Sequence, residues 1–361
     1  MMRLIVGAGG TGGHVVPALA VAEALKRKTR ACVVFVGAGR GVEEKLVPRA
    51  GYRLVRVPVV GLPRRLSLKL LGFWVGLVRG LVLCRDVFLK FRPNAALCTG
   101  GYAAFPVGAM TLWFRVPLYL HEPNQVPGLV NRVLGPWARR VYTGFRGVGP
   151  RGRRVHTGNP VRGEVGRASR EEGRRRFGLG DGPVVLAFGG SQGARTINRA
   201  VGEALGGWEE AGVEVIWQVG EGDIAWASEL SKAYRGKVKV FPFIEDMAYA
   251  LAAADLAVCR AGAMTISELT ASGLPAILVP LPNSAGGHQL QNALTLKEAG
   301  AAVVLEEGEL TGERLAEEVL GLLKNRVRLE AMRRASRGLG VLDAAERVAE
   351  GMLEDLRGSK F

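Results

Sequence analysis

Four cysteines in 361 residues, Cys32, Cys84, Cys98 and Cys259, stand far apart and form no CxxC pair. Neither a zinc site nor a disulfide framework is indicated, and a reducing compartment suits the composition. No Asp-x-Asp occurs anywhere in the chain, which argues against a diphosphate clamp built on a divalent cation. No apolar run reaches the ~20 residues that a bilayer-spanning helix needs. The chain opens Met1-Met2-Arg3 and enters a short apolar strand, lacking the long apolar stretch and small-residue cleavage site of an export signal. Acidic residues are scarce in one half only: residues 1–160 hold 5 Asp and Glu against 25 Lys and Arg, whereas residues 161–361 hold 28 against 24. All of the +16 excess therefore belongs to the first half. It points to a polyanionic partner there: a nucleic acid, an acidic membrane surface or a phosphorylated substrate.

What is present is an ordered composition, 48% apolar with 51 glycines scattered among apolar runs. The length exceeds one hydrophobic core, so two domains are expected. Short β-branched runs alternate with helical stretches along almost the whole chain, the pattern of α/β domains with parallel sheets. The first series of strands is Leu4–Val6, Cys32–Val36, Arg53–Val57, Ala95–Cys98, Leu118–Leu120 and Val141–Thr143. The second is Val184–Phe188, Glu214–Gln218, Lys239–Phe241, Leu256–Cys259, Ala276–Val279 and Ala302–Leu305. Each series opens with a strand running into a glycine-rich turn and a helix. This weak repeat predicts two doubly wound domains, 1–160 and 164–341, with a linker near Thr157–Gly163 and a ligand cleft between them. The sequence does not decide where the helical tail, about 342–361, packs.

Glycine-rich strand-to-helix turns let backbone approach phosphate and aim helix N-terminal amides at it. Gly7, Gly9 and Gly12 also fit the GxGxxG spacing of dinucleotide sites. That reading requires a carboxylate at the end of the second strand to hold a ribose. The strand ends Phe35-Val36-Gly37-Ala38-Gly39-Arg40 without one, so a nicotinamide cofactor is not expected.

From Arg64 to Arg92, apolar residues including Leu70, Phe73, Trp74 and Leu77 are edged by Arg64, Arg65, Lys69, Arg79 and further basic residues. Arg79 interrupts the run too early for a span. Such a helix suits either a buried core or the surface of an anionic phospholipid membrane, and the charge of the first half favours the membrane. The aromatics are not interleaved with basic residues as a stacking platform would be, so no nucleic acid is expected.

Six motifs appear in order: Gly9-Gly10-Thr11-Gly12-Gly13-His14-Val15-Val16-Pro17, Gly100-Gly101-Tyr102, His121-Glu122-Pro123-Asn124, Thr157-Gly158-Asn159-Pro160-Val161-Arg162, Gly189-Gly190-Ser191-Gln192-Gly193-Ala194-Arg195 and His288-Gln289-Leu290-Gln291-Asn292-Ala293. Together they resemble the family of undecaprenyl-pyrophosphoryl-MurNAc-pentapeptide N-acetylglucosaminyltransferases. The resemblance implies two Rossmann-like domains facing a cleft, the GT-B arrangement, with the acceptor on the first and UDP-GlcNAc on the second. It implies inverting transfer of N-acetylglucosamine to the C4 hydroxyl of the lipid-linked MurNAc-pentapeptide (lipid I to lipid II) by a peripheral enzyme at the cytoplasmic face of the cell membrane. Two positions depart from the family pattern, Pro123 for a usual Gln and Ala104-Phe105 for a Ser-Gly, both in the acceptor half.

In such a transfer UDP leaves while the acceptor hydroxyl attacks the anomeric carbon. Amides after Gly189-Gly190, the Ser191 hydroxyl and Arg162 can meet the developing diphosphate charge. With no Asp-x-Asp, a metal-independent reaction without cofactor is expected. The acceptor hydroxyl needs a base with a pKa near neutrality, which favours His14, with His121 and Glu122 as rivals at a strand end. The resemblance makes Tyr102, Glu122 and Asn124 acceptor-side residues. It assigns the ribose hydroxyls to Glu268 and the uracil to the Ile244 backbone, and puts Thr11, Gly12, Gly13, Asn124, Gln192, Met264 and Thr265 around the donor. Gln289 and Asn292, three apart on a helix, are expected to reach the sugar hydroxyls.

Overall fold

The computed structural model describes residues 1–61, 69–147, 153–190, 192–234 and 236–358. They form two compact units, Met1–Val161 with Asp343–Phe361, and Arg162–Leu342. In the first unit seven strands alternate with helices: β1 (Met2–Ala8), α1 (Gly12–Lys28), β2 (Ala31–Gly37), α2 (Glu43–Arg49), β3 (Arg53–Arg56), α3 (Lys69–Phe91), β4 (Ala95–Gly100), α4 (Ala104–Phe114), β5 (Leu118–Glu122), α5 (Leu129–Leu134), β6 (Arg140–Thr143) and β7 (Arg154–His156). The sheet order is β3-β2-β1-β4-β5-β6-β7 and the pairings are parallel. The strands β1 and β4 are almost wholly buried apolar runs because helices cover both faces. The edge strand β7 was not anticipated, since Arg-Val-His carries one apolar residue and is largely open to solvent.

The second unit repeats the plan with α6 (Arg170–Arg176), β8 (Val184–Phe188), α7 (Arg195–Glu210), β9 (Glu214–Gln218), α8 (Ile224–Lys232), β10 (Val238–Phe241), α9 (Met247–Ala253), β11 (Leu256–Cys259), α10 (Ala263–Ser272), β12 (Ala276–Leu278), α11 (His288–Glu298), β13 (Ala302–Val304), α12 (Gly312–Lys324) and α13 (Arg326–Leu339). Its sheet runs β10-β9-β8-β11-β12-β13, again parallel. Each sheet reverses its strand order beside its first strand, between β1 and β4 and between β8 and β11. At that switch point the loops diverge and leave a crevice for ligand. Both glycine-rich turns stand there.

The last helix, α14 (Ala344–Gly358), returns to the first unit. Val348, Ala349 and Met352 complete the core beneath α1, while Glu346 and Glu350 pair with Arg27 (2.8 Å) and Lys28 (2.7 Å). Asp355 accepts from Arg140 at 2.7 Å. An acidic helix face thus covers part of a strongly basic unit.

Candidate active site

In the first unit the switch point brings the β1–α1 turn against the Gly100-Gly101 turn that follows β4. Both glycines there have positive φ, 110° and 77°. A Cβ at Gly100 would lie 2.7 Å from the His14 ring, so the imidazole rests directly on this backbone. His14 Nδ1 donates to the Thr99 carbonyl at 2.9 Å, and the Thr99 hydroxyl donates to the His14 carbonyl at 2.7 Å. With the proton held on Nδ1, the neutral ring carries its lone pair on Nε2, the state a general base requires. Thr99 is fully buried; sequence reasoning missed it because a lone threonine in an apolar strand carries no signal. Thr11 is exposed, and the space a side chain would fill at Gly12 is empty. The α1 N-terminus can therefore be approached closely. Tyr102 is partly exposed at the start of the next helix.

The two rival bases are placed differently from expectation. The His121 imidazole is fully buried, and desolvation pushes its pKa down to about 4. It is neutral near pH 7 and closed off from solvent. Glu122 is also buried, and its carboxylate accepts from the Asn124 amide (3.0 Å) and side chain (3.3 Å), the Gly128 amide (2.9 Å) and Asn131 Nδ2 (2.9 Å). Glu122 therefore organises the loop that presents Asn124 and does not itself face an acceptor. Pro123, one of the departures, offers its carbonyl to Asn159 Nδ2 at 3.0 Å, which ties that loop to the Thr157–Arg162 motif. Ala104-Phe105 opens α4.

In the second unit the turn after β8 has Gly190 and Gly193 at φ 87° and 75°, and leads into α7. Ser191 lies outside the described residues; Gln192 is exposed. Gln218, at the end of β9, donates to the Gly190 carbonyl (2.8 Å) and accepts from the Ile244 amide (2.9 Å). This corrects one expectation: the Ile244 N–H is already engaged within the protein, so only its carbonyl can serve a base. After β11, α10 carries Met264, Thr265 and Glu268. Glu268 is nearly buried, which pushes its carboxyl pKa up against the opposing charge of Arg162, whose Nε lies 3.5 Å away. A carboxylate so desolvated has strong reason to accept hydrogen bonds from a ligand.

Asn292 is fully buried and donates to the Ala261 carbonyl at 3.1 Å. It braces the turn before α10 instead of reaching a sugar, which overturns the pairing with Gln289 on one open face. Gln289 is half-buried and accepts from the Leu281 amide at 3.0 Å. Arg260, also missed, pairs with Glu307, which accepts from Thr196 Oγ1 at 3.1 Å. That network links the β11 turn to the first turn of α7. Among the described residues no group of three or more His, Cys, Asp or Glu side chains is arranged to hold a metal ion.

The α3 helix is two-sided. Leu77, Cys84 and Phe88 are buried, and Gly80 lets the helix approach Val59 and Pro106 closely. Phe88 stacks on Phe114 of α4 at 5.3 Å. Leu77 therefore belongs to the core, correcting its place in the membrane set. The opposite face exposes Leu71, Trp74, Val75, Val78 and Val82, and α4 adds Leu112 and Trp113. Leu70 and Phe73 are half-buried, Phe73 edge-on to Trp74 at 5.3 Å. Arg64, Arg65 and the Lys69 side chain lie outside the described residues. Among the described residues no helix is long and apolar enough to cross a membrane.

Residues 4–143 match the glycosyltransferase family 28 N-terminal domain and residues 184–348 its C-terminal domain. Relatives named UDP-N-acetylglucosamine–N-acetylmuramyl-(pentapeptide) pyrophosphoryl-undecaprenol N-acetylglucosamine transferase include one from Alkalilimnicola ehrlichii, 44% identical over 99% of both chains. Another, from Acetivibrio thermocellus, is 37% identical over 99% of both. The crystal structure of MurG from Acinetobacter baumannii superposes with a TM-score of 0.78 at 27% identity, covering 98% of this chain and 99% of that one.

Proposed function

The chain belongs to glycosyltransferase family 28, and from that premise we propose that it transfers N-acetylglucosamine from UDP-GlcNAc to the C4 hydroxyl of undecaprenyl-pyrophosphoryl-MurNAc-pentapeptide, forming lipid II for peptidoglycan synthesis. Kinship along nearly the whole chain carries the substrates. The His14–Thr99 pair is the observation that carries the mechanism. Nε2 of His14 takes the proton of the acceptor hydroxyl as it attacks the anomeric carbon with inversion, and UDP departs. Fixing the ring through its Nδ1 bond to Thr99, with the Thr99 hydroxyl holding the His14 backbone, removes the reorientation that an unrestrained base would undergo. Charge developing on the leaving diphosphate meets the amides at the start of α7 and Arg162. Glu268 accepts from the ribose hydroxyls, with Met264, Thr265, Gln192 and Gln289 around the donor, and Asn124 and Tyr102 contact substrate from the first unit.

The acceptor's lipid tail stays in the bilayer, so the first unit docks on anionic phospholipid at the cytoplasmic face of the membrane. Its basic charge and the exposed apolar face of α3 and α4 support this. The test is incubation with UDP-GlcNAc and the lipid-linked acceptor in EDTA, with the product identified by mass. Expected is acceptor-dependent UDP release, abolished in large part by His14→Ala, which forfeits about 10²–10⁴-fold in turnover. UDP release without acceptor, or full turnover by His14→Ala, refutes the reading.

A further inference from the structure

The β1–α1 turn contains Gly9, Gly10, Gly12 and Gly13 within five residues. Such backbone has many accessible conformations and must be fixed from outside if α1 is to begin in one place. Thr99 fixes the His14 end of the turn, through the ring and the backbone carbonyl of that residue. The fixing group on the other side is Glu43, in the first turn of α2. Its side chain is fully buried, and Oε2 accepts from the Gly10 amide at 3.0 Å. Oε1 is also buried and has no hydrogen-bond partner among the described residues.

Three glycines make room for this carboxylate. A Cβ at Gly37 would lie 2.8 Å from Glu43 Cγ, one at Gly9 would lie 3.2 Å from Oε1, and one at Gly41 would collide with Oε2. Gly10 itself has φ 91°, which directs its amide inward to the carboxylate. A buried carboxylate with one oxygen unmatched is unfavourable for stability alone. A charge-assisted bond to a turn amide, by contrast, is both strong and directional. A strand-to-helix turn held by a carboxylate on the neighbouring helix is a positioning device.

We propose that Glu43 is a positioning residue for the transfer: its bond to Gly10 sets the β1–α1 turn, and so the start of α1 and the placement of His14 against the acceptor. This rests on the assignment of His14 as base. It predicts that Glu43 acts mainly on turnover, because the uracil and ribose contacts of the donor are assigned to the second unit and only Thr11, Gly12 and Gly13 of this turn are assigned to the donor.

Turnover, donor affinity and amide exchange are to be measured on Glu43→Ala, Glu43→Gln and His14→Ala in the full chain. Glu43→Ala is expected to lower kcat by about 10²-fold, the scale of an ångström-sized misplacement, with a much smaller rise in UDP-GlcNAc Kd, within about tenfold, and faster exchange at Gly10. Glu43→Gln, whose side-chain oxygen still accepts from Gly10, is expected to restore kcat to within about tenfold of wild type. A folded Glu43→Ala with wild-type kcat overturns the inference, as does an equal loss in both Glu43 variants. Should Glu43→Ala not fold, Gly41→Ala, which pushes on the carboxylate, replaces it with the same expected kcat loss and a much smaller change in donor Kd. An unprotected Gly10 amide in the wild type would also overturn it. If His14→Ala keeps its turnover, the base assignment has failed, and exchange at Gly10 still decides whether Glu43 sets the turn.

Discussion

Replacing Trp74 by serine should separate membrane docking from folding, because α3 leaves Trp74 exposed while Leu77, one turn on at the edge of the packed face, is buried. Trp74 is 54% exposed and Leu77 is 9% exposed. A tryptophan offers up to ~250 Å², so about half of that remains for a bilayer to cover. At ~25 cal/mol per Å² this is worth about 3 kcal/mol, or roughly two orders of magnitude in vesicle partitioning. Leu77→Ser removes core packing and should cost ~2–5 kcal/mol of stability. Sedimentation with anionic vesicles beside urea melts gives both quantities. Trp74→Ser is expected to bind vesicles ~10²-fold more weakly, to melt like the wild type, and to lose activity on the natural acceptor while keeping it on a short-chain soluble analogue. Undiminished vesicle binding by folded Trp74→Ser, or loss of activity on both acceptors, would refute the reasoning.

Donor affinity measured by calorimetry should fall on the acid side from a higher pH than an ordinary carboxylate would give, because burial raises the Glu268 pKa and the protonated form loses its acceptor role. Arg162→Gln removes the opposing cation and should move that onset further upward; an unchanged onset counts against the Arg162–Glu268 pair. The same raised pKa means that protonating Glu268 favours the folded state, so this acid loss of affinity is not unfolding through that group. His121 has the opposite linkage. Its folded pKa of about 4 lies below the ordinary 6.5, so its stabilising contribution is complete above pH 6.5 and is lost as pH falls towards 4. The loss is about 3 kcal/mol. His121→Phe should flatten that acid dependence in urea melts, and equal slopes for variant and wild type would refute the assignment.

The sequence by itself determined the class of fold and the positions of both glycine turns. Buried parallel strands leave near-continuous apolar runs, and a tight strand-to-helix turn demands glycine, so both are local signals. Its motifs also identified the family. Local pattern did not reach β7, whose three residues are strand only because β6 offers an edge, or the place of α14, whose ion-pair partners on α1 lie over 300 residues away in the chain. Nor did it separate the faces of α3: the helix is apolar nearly all round, and only packing against Val59 and α4 decides that Leu77 turns inward and Trp74 outward. The polar residues show the same limit. Glu122 and Asn292 read as ligand contacts, yet tertiary neighbours engage them as braces, while Glu43, Thr99 and Gln218 carry no motif and gain their place from backbone groups brought to them by the sheet. A side chain's type is written in the sequence, but whether it faces a ligand or holds a loop depends on which distant hydrogen-bonding groups remain for it once the strands have paired.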